Sequence, residues 1–393
     1  MFGHNGQYHF ATFPGVRIFF SGGHFAVSIF FVISGYVLSH KPLQYIHADE
    51  HIKLGENLSS ALFRRWIRLF TPVACVTFCY MTSWHLFGIK TEAQPESTYG
   101  TELWRWYKEF KNFSFIFHGI EKPGLTYSYH VWSIPIEFRG SIVIYTSLIS
   151  FSSMTHHVRL WCSAGLILYF LTIVDGWYCA MFVMGMLQCD LNHLSSNDNL
   201  PACFSRLARF KKSLSWACLA IGIYLGGCPA ANNDLDAFSK SLGWHYLSYL
   251  KPEAMYDYKW FFLFCAASLT TASIQQIPTL KRFFELRFNQ YLGHVSFAFY
   301  LVHGPVMWTI GDRLYAATGC ARASHAITAS RWINLLPIPG VGPLGMELNF
   351  LLPHLLILPV TLWAAEIVTK IFDQPSLRFS HWLYRRSIGV SLG

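Results

Sequence analysis

Two charged side chains lie within a strongly apolar stretch of this sequence. The run H-V-W-S-I-P-I-E-F-R-G-S, residues 130–141, carries Glu137 and Arg139 among Val, Ile, Phe and Trp. A charge at membrane depth costs on the order of 3 kcal/mol, so such side chains usually face a cavity, a partner or a substrate pathway. The two lie two residues apart and point in different directions on a helix, so they need not pair. Two interpretations stay open: a site that binds or polarises substrate, or charges neutralised by a neighbouring helix.

Three arginines, Arg64, Arg65 and Arg68, open another apolar stretch. Guanidinium groups hold phosphates through paired hydrogen bonds, so the cluster would suit a polyanionic ligand. Basic residues at the edge of a membrane span also orient the helix without any ligand. The sequence leaves both interpretations open.

Three histidines are candidates for proton transfer, since the imidazole pKa suits a base at neutral pH. His24 and His130 lie near the ends of apolar stretches, and His303 lies in the run Y-L-V-H-G-P. A single histidine at a helix end is more often an interfacial or packing residue. We therefore interpret His303 as a residue that lines a site, and leave the other two ambiguous.

The composition places these residues in a membrane protein. Hydrophobic residues make up 53% of the 393 residues and charged residues only 13%, against roughly 25% in soluble domains. The net charge of +9 is distributed in short clusters beside apolar spans, without a basic run or nucleic-acid motif, so nucleic-acid binding is not expected. The ten cysteines mostly fall inside apolar spans without metal-ligand spacing, and no metal site is predicted.

Hydropathy and the length a bilayer requires predict an all-α, polytopic membrane bundle of about nine spans. The chain is expected to form one domain over residues 1–393, with a short polar segment at 1–15 and a basic tail at 374–393. In the first span, Ser34 and Gly35 are expected to permit close helix packing. The predicted spans cover residues 16–38, 64–89, 131–151, 160–174, 177–189, 213–230, 258–274, 291–311 and 348–370.

If the chain crosses the membrane at each predicted span, successive loops lie on alternate sides. Lys and Arg are concentrated in the loops of one side. The positive-inside rule makes that side cytoplasmic, with the C-terminus there and the N-terminus and the loop 90–129 luminal or extracellular. The aromatic residues of this loop suit an interfacial belt or, alternatively, a platform for an acceptor. The endoplasmic reticulum and the plasma membrane are both open as locations.

Five ordered motifs give the chain a specific resemblance to the membrane-bound acyltransferase 3 family, particularly its fungal branch. The W-S-I-P-I-E run resembles the W-S-x-x-x-E element of the family, and the late Y-L-V-H-G-P run resembles its Y-L-x-H-x-P element. The motifs are F-F-V-I-S-G-Y-V-L-S at 30–39, F-R-R-W-I-R-L-F-T-P at 63–72, W-S-I-P-I-E at 132–137, L-G-H-V-S-F-A-F-Y-L-V-H-G-P at 292–305, and F-D-Q-P-S-L-R-F at 372–379.

The resemblance implies transfer of an acyl group, commonly acetyl, from cytoplasmic acyl-CoA to a hydroxyl group of a sugar, lipid or small metabolite. Acyl-CoA would be the donor substrate, and no bound cofactor is expected. Glu137 and Arg139 would serve the acceptor or the transition state, and His303 would line the site. The arginine cluster, Arg64, Arg65 and Arg68, would hold the donor.

One departure from the family pattern supports an alternative function. Family members carry a helix ahead of the F-F-x-x-S-G helix, with an R-G element and the histidine thought to act as base. The chain is expected to begin after that helix, through an incomplete gene model, a truncated allele or descent to an inactive form. The alternative is therefore a catalytically inactive homologue that acts as a transporter or scaffold.

Overall fold

The computed structural model describes residues 9–13, 15–117, 124–197, 210–229, 233–241, 243–342 and 346–389. All regular secondary structure in these ranges is helical, which confirms the all-α prediction for this part of the chain. Most of the predicted polar segment 1–15 and the last four residues of the predicted tail 374–393 lie outside the described residues.

The α-helices are numbered here in chain order. They are α1 (Ile18–Ser21), α2 (Gly23–His47), α3 (His51–Phe87), α4 (Tyr99–Ser114), α5 (Ser133–Phe151), α6 (His156–Thr172), α7 (Trp177–Ser196), α8 (Lys211–Gly226), α9 (Leu235–Ser239), α10 (His245–Ser248), α11 (Lys259–Gln276), α12 (Pro278–Phe284), α13 (Arg287–Val306), α14 (Asp312–Thr318), α15 (His325–Thr328), α16 (Leu348–Leu351), α17 (His354–Val368) and α18 (Gln374–Ser387).

Short segments of other helical types extend several of these helices. A 3₁₀ turn at Tyr129–Trp132 leads directly into α5, and two others lie at Phe10–Thr12 and Ser330–Trp332. π-helical turns at Met307–Gly311 and Thr369–Asp373 join α13 to α14 and α17 to α18. Such π turns often mark functional sites.

Three helical stretches in the described residues are long and apolar enough to cross a membrane: Gly23–His47, Tyr129–Phe151 and Leu348–Ser387. A fourth arises if α11 and α12, which meet at 96°, count as one broken span. These stretches match the first, third, seventh and ninth predicted spans. The other predicted spans lie on helices that do not reach this combined length and apolarity, so a membrane helical protein is supported and the number nine is not confirmed.

The chain divides into two compact units, and two of the three boundaries between them fall inside helices. Unit 1 comprises Met1–Leu62 and Arg139–Leu286, and unit 2 comprises Phe63–Phe138 and Arg287–Gly393. The first boundary lies within α3 and the second within α5. Each unit is described separately below.

Unit 1 is built on the close approach of α2 and α7. A methyl group added at Gly35 would lie 2.0 Å from the carbonyl oxygen of Phe182, and one added at Gly185 would lie 2.0 Å from that of Val32. Only residues without a side chain permit this backbone contact. The prediction that Gly35 allows close helix packing is confirmed.

A buried ionic cluster joins α2, α6 and α7 in unit 1. The Asp190 carboxylate accepts hydrogen bonds from Arg159 Nε at 2.6 Å and Nη2 at 2.9 Å, and its Oδ1 lies 2.9 Å from His47 Nε2. Arg159 and Asp190 are both nearly excluded from solvent. Buried charges require such partners, so this cluster fixes the three helix ends relative to one another.

The loop 90–129 of unit 2 contains a folded helix, α4, and not only irregular chain. Thr98 caps it in a reciprocal arrangement with Thr101. The fully buried Glu102 accepts a hydrogen bond from the Tyr127 hydroxyl, and burial together with this bond raises the Tyr127 pKa above its ordinary value. Tyr127 also stacks on Trp84 of α3. The loop is therefore tied to the body of its unit.

Candidate functional site

The three arginines of the basic motif lie within residues 64–68 of α3 in unit 2, and each interacts with a residue of α5 or of the segment 373–381. Arg64 Nη1 lies 3.1 Å from His381 Nδ1 on α18. Arg65 donates a hydrogen bond to Glu137 Oε1, and the charge of Arg68 interacts with that of Asp373. Four of the five sequence motifs thus contribute residues to this unit.

The ion pair of Arg65 and Glu137 is buried. The Glu137 side chain is 2% exposed and that of Arg65 is 10% exposed. Charges removed from water in this way are stable only as a pair, because each alone would carry an uncompensated desolvation cost. The predicted donor residue Arg65 and the predicted acceptor residue Glu137 are therefore brought together.

The late motif on α13 contributes His294 to the same end of unit 2. Its Nε2 lies 3.3 Å from Gln374 Nε2, and its charge would interact with Asp373. The exposed Arg68 and His294 consequently both interact with the Asp373 carboxylate at the end of the π turn Thr369–Asp373. An excess of basic groups here suits an anionic ligand.

A second polar group lies around the histidines His130 and His303, whose ring centroids are 4.1 Å apart. The Tyr300 hydroxyl donates to the His130 carbonyl and lies 2.7 Å from Ser133 Oγ. His303 Nδ1 lies 2.7 Å from the Tyr300 carbonyl, which fixes the orientation of its ring. His130 Nε2 is buried and has no hydrogen-bond partner among the described residues.

This second group has the chemistry of a proton-transfer site. Two imidazoles in contact disfavour double protonation, so at least one stays neutral and can accept a proton. The unsatisfied His130 nitrogen is a buried polar atom that a substrate hydroxyl would satisfy. Trp308 packs beside His130, with ring centroids 5.6 Å apart, and supplies an apolar wall.

The helices place the two polar groups at different depths of the unit. Nine residues separate His294 from His303 on α13, which corresponds to about 14 Å along a helix axis. Ser133 and Glu137 lie one turn apart on the same face of α5. The Arg65–Glu137 pair and the Ser133–Tyr300 contact therefore follow one another along that face.

Arg139 is the first residue after the unit boundary within α5. It belongs to unit 1, where its guanidinium interacts with the hydroxyl of Tyr178. His24 is also in unit 1, where it packs edge-on against Trp260.

The sequence leaves His130 ambiguous and does not mark Tyr300 or His294 as candidates, although both stand in the late motif. Helix periodicity could have identified Tyr300, because it lies three residues before His303 and both can therefore face the same neighbour.

Comparison with known proteins places the chain in a family. The sequence profile of the acyltransferase 3 family, described as an acyltransferase domain, matches residues 1–365. The chain is 28% identical to "O-acetyltransferase PaAT-1" of Phomopsis amygdali over 410 residues, covering 96% of this chain and 77% of that protein.

Two further fungal relatives are more distant. "Acyltransferase R4" of Phoma sp. and "Acyltransferase clz18" of Cochliobolus lunatus are each 22% identical over 346 residues, covering 78% of this chain and 72% of each relative. No solved structure matches the chain. Because the family profile spans most of the sequence, the chain belongs to the acyltransferase 3 family and is an acyltransferase.

Proposed function

We propose that this multi-pass membrane protein transfers an acyl group, with acetyl the first candidate, from cytoplasmic acyl-CoA to a hydroxyl group of a sugar, lipid or small metabolite. The observation that carries the proposal is the arrangement in unit 2 of an arginine-rich end and a histidine pair along the same helices. An O-acetyltransferase among the relatives supports the choice of acetyl.

The arginine-rich end is proposed to hold the phosphates of coenzyme A. Arg68 is exposed and Arg64 partly exposed, so both can reach a ligand from solvent. Arg65 is committed to Glu137 and would instead position that carboxylate within the unit. This assignment divides the three predicted donor residues into two that contact the donor and one that supports the site.

The histidine pair is proposed to serve the acceptor. His130 Nε2 would take the hydroxyl proton as the acceptor oxygen attacks the thioester carbonyl. The carbon–sulfur bond then breaks, and the coenzyme A thiolate leaves and takes up a proton. His303, held by the Tyr300 carbonyl, lines the acceptor site as the sequence predicted and disfavours protonation of His130 before substrate binds.

The proposal is tested with the full chain purified in detergent, radiolabelled acetyl-CoA and a panel of alcohols that includes hexoses, a sterol and small aromatic alcohols. Label in an extracted ester, with the added mass of one acetyl group, is the expected result. Acetyl-CoA affinity is measured separately by equilibrium binding.

A matched pair of variants isolates the donor site. Arg68→Ala should weaken acetyl-CoA binding by about tenfold, the loss of roughly one charge-assisted contact. Arg282→Ala removes another basic residue of the predicted cytoplasmic side and should leave binding unchanged. An equal loss of acetyl-CoA affinity in both variants would contradict the donor assignment. If the wild-type protein binds acetyl-CoA but forms an ester with no acceptor of the panel, the inactive transporter or scaffold would be favoured.

A further inference from the structure

We propose that His40, Cys189 and His193 of unit 1 form a binding site for a transition-metal ion, with Zn²⁺ the first candidate. One ring nitrogen of each histidine and the cysteine sulfur lie within 4.8 Å of one another. All three residues belong to unit 1, and the proposal does not depend on the proposed acyl transfer.

Helix geometry explains why these three side chains meet. Cys189 and His193 are one turn apart on α7, so they share one face of that helix. His40 comes from α2, which the glycine contacts hold directly against α7. The helix of the first predicted span, 16–38, continues to His47, and this extension carries His40, which faces the α7 residues.

The distances approach those of an occupied site. Cys189 Sγ lies 3.9 Å from His40 Nδ1. A tetrahedral zinc ion with Zn–N of about 2.0 Å and Zn–S of about 2.3 Å requires roughly 3.5 Å between these ligand atoms. The Cys189–His40 pair is thus within about 0.4 Å of the zinc-bound separation, and all three ligand atoms, which lie within 4.8 Å of one another, would draw closer on binding.

The polar atoms around the cluster suit ligation. His193 Nε2 is buried and has no hydrogen-bond partner among the described residues, although a buried imidazole nitrogen normally has one. His40 Nε2 lies 3.3 Å from the amide of Gln44, which can fix the ring while Nδ1 faces the metal.

The donor set selects the class of metal. One thiolate and two imidazoles suit borderline or soft ions such as Zn²⁺ and copper, and are poor ligands for Mg²⁺ or Ca²⁺. Three protein ligands leave a fourth position for water or another small ligand. The neighbouring Asp190 is already bonded to Arg159 and His47, so the ionic cluster supports α7 beside the site.

Cobalt provides a spectroscopic test on the whole protein. The full chain is purified in detergent, treated with a chelator, dialysed and titrated with Co²⁺. One tightly bound Co²⁺ per chain should give a thiolate charge-transfer band and the visible bands of a four-coordinate ion, and equimolar Zn²⁺ should abolish both.

Matched variants assign the bands to these residues. Cys189→Ser should remove the thiolate band, and His193→Gln should weaken Co²⁺ binding by at least about tenfold. The controls Cys162→Ser and His157→Gln lie on α6 of the same unit and should leave spectrum and affinity unchanged. Absence of the band from the wild-type protein, or its survival in Cys189→Ser, would overturn the proposal.

A measurement on the unaltered chain guards against variants that fail to fold. Alkylation of each cysteine is followed by mass spectrometry with and without Zn²⁺. The rate at Cys189 should fall at least about tenfold with Zn²⁺ while that at Cys162 stays constant. Equal rates at Cys189 in both conditions would contradict metal ligation.

Discussion

The two units use buried charge in different ways. In unit 1 the charges of Arg159 and Asp190 neutralise each other beside His47 and serve to fix three helix ends. In unit 2 the pair of Arg65 and Glu137 occupies the middle of a series of polar groups that extends towards the histidine pair. A buried ion pair alone therefore does not identify a catalytic site, and the polar neighbours of the Arg65–Glu137 pair are the reason for placing the proposed site in unit 2.

The two units also differ in the size of the residues that pack at their polar groups. Unit 1 brings α2 and α7 into backbone contact through Gly35 and Gly185, which leaves little room for a substrate there. Unit 2 instead packs large aromatic side chains such as Trp308 around its histidines, and a buried imidazole nitrogen of His130 remains unsatisfied. Variants in each unit can therefore test whether its buried polar groups serve stability or the proposed acyl transfer.

The largest effect is expected at His130. His130→Gln should reduce acyl transfer by about 10²- to 10⁴-fold, the usual contribution of a general base, while thermal stability and acetyl-CoA affinity stay close to wild type. The rate of ester formation is measured at saturating acetyl-CoA. His24→Gln is the control histidine in unit 1 and should retain the wild-type rate; an equal loss in both would break the distinction between the units.

Glu137→Gln should lower the free energy of unfolding by about 3 to 5 kcal/mol, because Arg65 would keep a buried charge without its counterion. Thermal unfolding in detergent measures the change. The double variant with Arg65→Gln removes both charges and should recover a large part of the loss. Additive losses in the double variant would show that the two residues do not stabilise each other.

Asp190→Asn tests the corresponding pair in unit 1. A similar loss of about 3 to 5 kcal/mol is expected, since Arg159 would be left buried and charged. Acetyl-CoA affinity, measured below the unfolding temperature and without added metal, should be unchanged. A loss of donor binding as large as that of Arg68→Ala would contradict a purely structural role.

Substitutions of glycine give the smallest effects. Gly35→Ala places a methyl group 2.0 Å from the Phe182 carbonyl and should cost about 1 to 3 kcal/mol in unfolding free energy. Gly165→Ala is the control, because nothing lies within 4 Å of the added methyl group on α6. It should raise stability by up to about 1 kcal/mol through helix propensity. If Gly35→Ala and Gly165→Ala lowered the unfolding free energy equally, the loss would not come from the contact of Gly35 with Phe182.

Several features of the site were predictable because they follow from local rules. Glu137 stands out as a charge in an apolar span, and Arg64, Arg65 and Arg68 stand out as a cluster at the start of a helix. Their partners were not predictable, since residues 72 positions apart in sequence meet only through the packing of α3 on α5. Arg139 illustrates the limit: the same local rule selected it, yet it lies with Tyr178 in the other unit.

The sequence by itself determined the helical class, the membrane character and the family, because composition, apolar length and ordered motifs are properties of the chain alone. Tertiary structure decided which residues form a site. It paired Arg65 with Glu137 and brought His130 against His303. It also placed His40 beside Cys189, because α2 extends past residue 38, where hydropathy predicts the end of the span. The physical reason is that hydropathy and helix period fix only which face of a helix is apolar, whereas the partner of each polar group depends on which helices pack together.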